Sequence, residues 1–318
     1  TVFDTSKLKL DCGALAILTP LSPRTWLRAA REVAAFSPDC VVIQWWNTFF
    51  SPMVGTLASL LRRAGLKCVV ECHNVLPHER RWFDGPLVKS AFSPVDQFIT
   101  HSQADRETLL RLLPQKRVIV AALPIVEEFA ADRRRERTGR AILFFGIVRK
   151  YKGLDVLMKA LPKVLAKVDC DLTIAGEFYE PVEKYEALAR ELGIEGKVRI
   201  ENRYVPNEEV PALFDSADVL VLPYLSATQS GIARIATSNG LPIIASRTGG
   251  LSESVEDRVT GRLFPPGDVE ALANCLMDYF TTGEGELFAG NLRAARNGTQ
   301  ETPLVEIIER AAQFAGRC

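Results

Sequence analysis

The sequence predicts an α/β protein made of two successive doubly wound, parallel-sheet domains. Short β-favouring apolar runs alternate with amphipathic segments of helical length, the pattern of βαβ units. The alternation lapses once, in a charged, apolar-poor stretch at 124–139, and then resumes. Glycine-bearing turns follow several of the predicted strands, where open α/β sheets bind ligands beyond the carboxyl ends of their strands.

In the first half, strands are expected at 41–45 (V-V-I-Q-W), 68–72, 98–101 and 118–121. Helices are expected at 26–35, 52–64 and 105–113, with Ser102 as N-cap of the last. The first forty residues offer only a weak strand at 14–18 and no Gly-rich turn beside it. That opening unit is either degenerate or lies upstream of Thr1. In the second half, strands are expected at 142–145, 172–175, 198–200, 219–222 and 242–245. Helices fall at 154–161, 182–192, 208–216, 231–237 and 269–280, and Asn239-Gly240 stops the fourth of these. The expected domains are 1–128, a linker at 129–139, and 140–318, with a cleft between the two.

Composition narrows the function. At 318 residues, 47% apolar and 25% charged, the chain has a soluble globular profile with room for two cores. Lys plus Arg equals Asp plus Glu at 39 each, which argues against bulk nucleic-acid binding. The one dense basic run, R-R-R-E-R at 133–137, is read as a solvated linker, with contact to anionic lipid as the sharper alternative. No apolar stretch approaches the ~20 residues of a membrane helix, and no signal peptide is evident. The chain begins with Thr, as a processed or fragmentary sequence would. Seven cysteines (Cys12, Cys40, Cys68, Cys72, Cys170, Cys275, Cys318) without a CxxC pair read as reduced and cytosolic, with no zinc spacing.

Three motifs carry the chemistry. G-I-V-R-K-Y-K-G, from Gly146 to Gly153, follows one strand and precedes a helix. Gly146 lets the backbone pass close to a bound group, while Arg149 and Lys152 either turn toward a phosphate or remain solvated loop charges. Cations fixed there would stabilise a departing diphosphate. A-G-E, at Ala175 to Glu177, offers a tight strand exit at Gly176. Glu177 is either an acceptor for a base or ribose or a plain surface glutamate. S-A-T-Q-S-G, at Ser226 to Gly231, places Ser230 as cap of the helix opening at Gly231, with Thr228 and Gln229 adding hydrogen-bonding capacity. Its positive dipole end suits a phosphate or a sugar oxygen.

All three histidines lie in the first half. His73, at a strand end in E-C-H-N, is the catalytic candidate. His101 is a second candidate, and His78 reads as loop packing. The trio has no metal-ligand spacing, so no metal is expected. Trp45 and Trp46 read as core packing or as a stacking surface for an acceptor.

On these residues the chain resembles the retaining GT-B glycosyltransferases of the glycosyl transferases group 1 type. The likeness is strongest over 141–273 and extends more loosely back to 26. The family's G-R-x-x-x-x-K-G looks like Gly146 to Gly153: Lys152 matches, the family Arg falls on Ile147, and Arg149 is its substitute. Aligning N-G-L-P-I-I-A-S on the family's C-G-x-P-V-I-A-S puts Ala227 and Ile235 where two glutamates would stand. A subgroup with T-Q-S-G in that position is similar to this chain, as is its C-H-N-x-x-P-H-E segment from Cys72 to Glu79. His73 falls on the family's active-site histidine; the family's N-terminal Gly-rich loop is not found.

The resemblance implies two Rossmann-like domains, the first for an acceptor and the second for a nucleotide sugar. It implies retaining, metal-independent transfer to a glycan or lipid-linked acceptor, with His73, Arg149 and Lys152 as the catalytic set. Donor binding falls to Gly146, Lys152, Gly176, Glu177, Thr228, Gln229, Ser230 and Gly231. No cofactor beyond the donor is implied. Work at the cytoplasmic membrane face in polysaccharide or glycolipid assembly is the expected setting. A non-catalytic donor-binding relative and a GT-B epimerase or hydrolase remain as alternatives.

Overall fold

The computed structural model describes residues 15–77, 79–122, 140–298 and 302–314. Expectations for Cys12, His78, Cys318 and the 129–139 linker lie outside the described residues. The chain forms two compact units.

In the first unit the elements run α1 (Pro23–Phe36), β1 (Val41–Trp45), α2 (Ser51–Arg63), β2 (Cys68–Cys72), α3 (Asp84–Phe92), β3 (Gln97–Thr100), α4 (Gln103–Leu112) and β4 (Arg117–Val120). The strands make one parallel sheet in the order β1-β2-β3-β4. Ser102 caps α4 as its position suggested, its hydroxyl accepting from the Asp105 N–H at 3.1 Å. Residues 15–18, by contrast, form no strand. Alternation along β2 sends Cys68, Val70 and Cys72 into the core with Trp45, Phe92 and Phe98, while Val69 faces the opposite side.

The second unit runs β5 (Ala141–Phe145), α5 (Leu154–Leu165), β6 (Asp171–Ala175), α6 (Val182–Glu191), β7 (Val198–Glu201), α7 (Val210–Asp215), β8 (Val219–Leu222), α8 (Gly231–Ser238), β9 (Ile243–Ser246), β10 (Gly261–Phe264), α9 (Val269–Thr282) and α10 (Glu284–Gly298). Its six parallel strands are ordered β10-β9-β8-β5-β6-β7. Both faces are covered, by α5 and α9 on one side and by α7 and α8 on the other. The chain builds outward from β5 through β6 to β7, then returns to the other side of β5 as β8. This places the reversal of strand order between β5 and β8, the position where open sheets bind ligands.

A last helix, α11 (Leu304–Phe314), corrects the expected domain limits. Residues 140–318 were expected to form one domain. Instead Leu304, Ile307, Ile308 and Ala311, one stripe at helical spacing, pack against Val69, Ile99 and Ala121 of the first unit. The physical reason is the apolar second face of β2 and β3, which interior parallel strands must cover.

Candidate functional site

Three strand-end loops of the second unit come together through their glycines. Gly146, just after β5, has φ +101°, and a Cβ there would lie 2.5 Å from Ile232 Cδ1 of α8 and 3.3 Å from Lys152 Nζ. Gly176, just after β6, has φ +147°, and its Cβ would lie 2.2 Å from the Gly146 carbonyl oxygen. Only glycine tolerates both the angle and the approach.

Past the strand ends the two loops stay laddered. The Gly146 N–H donates to the Ala175 carbonyl at 2.9 Å, the Val148 N–H to the Glu177 carbonyl at 2.8 Å, and the Tyr179 N–H to the Val148 carbonyl at 3.0 Å. The loop after β8 joins them where the Leu225 N–H donates to the Tyr151 carbonyl at 2.7 Å.

Lys152 closes a single 3-10 turn in this setting and is only 7% exposed. Its Nζ sits 5.2 Å from the centre of the buried Tyr224 ring, which Tyr151 meets edge-on. Among the described residues no carboxylate lies within ion-pair distance of it. Burial pushes its pKa down; Tyr151 opposes that and Arg149 adds to it. Arg149 behaves differently. It is exposed, and its guanidinium lies over the Tyr179 ring at 4.3 Å.

Ser230 caps α8, its buried hydroxyl accepting from the Ala233 N–H at 3.2 Å. Ile232 against Gly146 brings the positive end of this helix to the border of the same loop. Thr228 and Gln229 are half-buried beside it. Glu177 Oε2 is buried and has no hydrogen-bond partner among the described residues. Ala227 and Ile235 both pack against the apolar cluster under α8.

The first unit carries a separate constellation. Gln44 on β1 and Glu71 on β2 are register partners, and His73 continues the Glu71 face two residues on. Glu71 is 3% exposed and is joined to Gln44 Nε2 at 2.6 Å and to His101 Nε2 at 2.9 Å. His73 Nε2 meets Gln44 Oε1 at 2.6 Å. The Trp46 ring, 53% exposed, stacks on His73 with centroids 5.2 Å apart and planes within 10°. Trp45 is instead buried edge-on against Phe92. Burial lowers the His73 pKa, with Glu71 opposing and His101 reinforcing, which favours the neutral ring. His101, a second candidate by sequence, is buried between Glu71 and the Ala121 carbonyl. Cys68 and Cys72 lie in the apolar core, where burial pushes the Cys68 thiol up to about 12.

Two family descriptions match the chain, "Glycosyl transferase 4-like domain" over residues 9–124 and "Glycosyl transferases group 1" over residues 139–281. The chain belongs to the glycosyl transferases group 1 family. One relative of this group 1 chain is a GDP-mannose-dependent alpha-(1-6)-phosphatidylinositol monomannoside mannosyltransferase of Mycolicibacterium smegmatis. It is 30% identical over 270 residues, which are 76% of this chain and 66% of the relative. An MMP alpha-(1->4)-mannosyltransferase of Mycolicibacterium hassiacum is 28% identical over 275 residues, 80% of this chain and 65% of the relative. The chain spans about two thirds or less of the length of the curated relatives it matches. Among solved structures, Anabaena HepE in complex with UDP-glucose superimposes with a TM-score of 0.71 at 18% identity, over 91% of this chain and 81% of that one. The group 1 chain thus has the α/β GT-B fold with two parallel sheets.

Of the sequence-derived residues, Gly146, Lys152, Gly176, Glu177, Ser230 and Gly231 border the joined loops of the second unit. Sequence reasoning missed Tyr224, whose position after the β8 strand is its only signal. It also missed the E-C-H spacing that puts Glu71 beside His73.

Proposed function

We propose that this chain moves a sugar from a nucleotide diphosphate donor to a glycan or lipid-linked acceptor, retaining anomeric configuration and using no metal. The observation that carries the reading is the buried Lys152 ammonium without a counter-charge among the described residues. A buried cation is costly unless an anion meets it, and a donor diphosphate is such an anion. Donor recognition falls to Gly146, Lys152, Gly176, Glu177, Thr228, Gln229, Ser230 and Gly231. Arg149, held on Tyr179, supplies a second cation, and His73 serves on the acceptor-side unit.

In the reaction the sugar C1–O bond to the diphosphate breaks and its electron pair leaves with the phosphate oxygen. The acceptor oxygen bonds to C1 on the same face, and its proton passes to the departing diphosphate. Lys152 and the first-turn N–H groups of α8 stabilise the charge that develops there. The two named mannosyltransferases and HepE with UDP-glucose support a nucleotide-sugar donor. Among the described residues no helix is long and apolar enough to cross a membrane. We place the enzyme at the inner membrane face, in polysaccharide or glycolipid assembly.

Titration calorimetry with UDP, GDP and ADP, and with the matching monophosphates, tests this reading. Tighter binding of a diphosphate than of its monophosphate is expected; equal affinities would remove the Lys152 loop from the donor site. The apolar surroundings of Ala227 and Ile235 favour a second reading, a donor-binding protein without turnover. Release of sugar from the bound donor decides between the two.

A further inference from the structure

The hydrogen bonds around Glu71 form a directed chain whose donors and acceptors can be assigned. His101 Nδ1 lies 3.0 Å from the Ala121 carbonyl, which only accepts, so Nδ1 donates. The other ring nitrogen, Nε2, faces Glu71 Oε1 at 2.9 Å. The hydrogen bond from His101 is the largest of the influences holding the Glu71 carboxyl below its ordinary range. An ionised Glu71 accepts at both oxygens, from His101 Nε2–H on one side and from the Gln44 amide on the other. That orients the carboxamide, with its NH2 toward Glu71 and its carbonyl oxygen toward His73 Nε2 at 2.6 Å. An amide oxygen only accepts, so His73 Nε2 is the donor and Nδ1 is the basic nitrogen of the neutral ring.

We propose that Glu71 and Gln44 are positioning residues that set which nitrogen of His73 carries the proton. This rests on the reading of His73 as a catalytic group. Neither residue need touch a substrate. Glu71, buried between His101 and Gln44, orients the amide, and the amide orients the imidazole, which also stacks on the Trp46 ring and meets the His101 ring at a tilt. The same arrangement separates the two described histidines: His101 faces an acceptor on each ring nitrogen, whereas Nε2 of His73 faces the Gln44 amide oxygen.

The test is nitrogen-15 NMR of the full chain labelled at histidine, with its three rings assigned by single substitutions. From the two described histidines, three ring N–H protons protected from exchange are expected, two on His101 and the Nε2–H of His73. In Gln44→Met the His73 signal loses protection while both His101 signals persist, which also reports an intact fold. In Glu71→Gln the new amide accepts from Gln44 and donates to His101 Nε2. One His101 signal then disappears and that of His73 stays. A wild-type His73 protonated on Nδ1, or an unchanged His73 signal in Gln44→Met, overturns the proposal.

Hydrolysis of GDP-mannose and UDP-glucose supplies the kinetic arm. Gln44→Met should lower kcat at least tenfold with little change in donor KM, and Glu71→Gln should keep most of the activity. If His73→Ala turns over normally, the catalytic reading of His73 falls, while NMR still judges the hydrogen-bond chain. If His73→Ala is inactive and Gln44→Met keeps wild-type kcat, the positioning proposal falls alone.

Discussion

Lys152 Nζ lies 5.2 Å from the centre of the Tyr224 ring, and among the described residues no carboxylate pairs with the cation. A cation over an aromatic face recovers about 0.5–2 kcal/mol, well short of the cost of burying an unpaired charge. The pair therefore holds an ammonium ready for an anion. Lys152→Ala should weaken nucleoside diphosphate binding by about 1.5–3 kcal/mol, the size of a charged hydrogen bond, with little effect on a nucleoside. Calorimetry checks this, and equal loss for nucleoside and diphosphate would contradict it.

The same residue makes an opposite forecast for stability. Its folded pKa is depressed below 10.5, so the unfolded state binds more protons between the depressed value and 10.5. Stability should rise with pH through that window. Lys152→Met should flatten the rise and, at neutral pH, stabilise the ligand-free protein by about 1 kcal/mol. Urea midpoints across the alkaline range would show it; a less stable Lys152→Met protein would refute it.

The contact between Gly146 and Gly176 predicts a sharp loss. Gly176→Ala would place a methyl 2.2 Å from the Gly146 carbonyl oxygen at a φ of +147°, so the two loops must separate. A cost of about 2–4 kcal/mol is expected, together with loss of nucleotide binding. Gly196→Ala, with open space around its Cβ position, is the control. Chemical denaturation of the two variants makes the comparison.

Acid should weaken the first unit in two stages. Burial holds the folded His73 below 6.5, so the unfolded ring takes up protons first and stability falls as pH drops below 6.5. Glu71 is held below 4.5, chiefly by the His101 hydrogen bond. Its contribution is present above 4.5 and is lost as pH falls through the folded value. His73→Gln should remove the upper stage and keep the lower one. Parallel stability curves for variant and wild type would rule this out.

Ala311 on α11 is fully buried against Val69 and Ile99. Ala311→Asp should destabilise the first unit by about 3 kcal/mol, because a carboxylate enters an apolar contact. Calorimetry should show a first-unit transition shifted down and a second-unit transition in place. A common shift of both would mean that α11 does not belong to the first unit alone.

Most strands of both sheets were legible because parallel strands buried on two faces leave short continuous apolar runs. V-L-V-L at Val219–Leu222 and I-I-A-S at Ile243–Ser246 are examples. The N-caps Ser102 and Ser230 were legible because capping is local chemistry. Strand β10 was not, since G-R-L-F has a charge at its second position. Only the fold shows Arg262 buried and paired with Glu284 at 2.8 and 2.5 Å. Helix α11 carried a clear amphipathic stripe, but no local signal said which sheet it would cover.

The sequence by itself determined the alternating α/β pattern, the glycine turns after the strands, and the presence of Lys152, Ser230 and His73 at strand or helix ends. These follow from near neighbours, whose spacing and backbone preferences are written in the chain. Tertiary structure alone decided that Lys152 is buried beside Tyr224, 72 positions along the chain, while Arg149 turns to Tyr179. It alone aligned Gln44, Glu71, His73 and His101, which lie on or just beyond three strands. Burial and register join residues far apart in sequence, and both are set by how the sheets assemble.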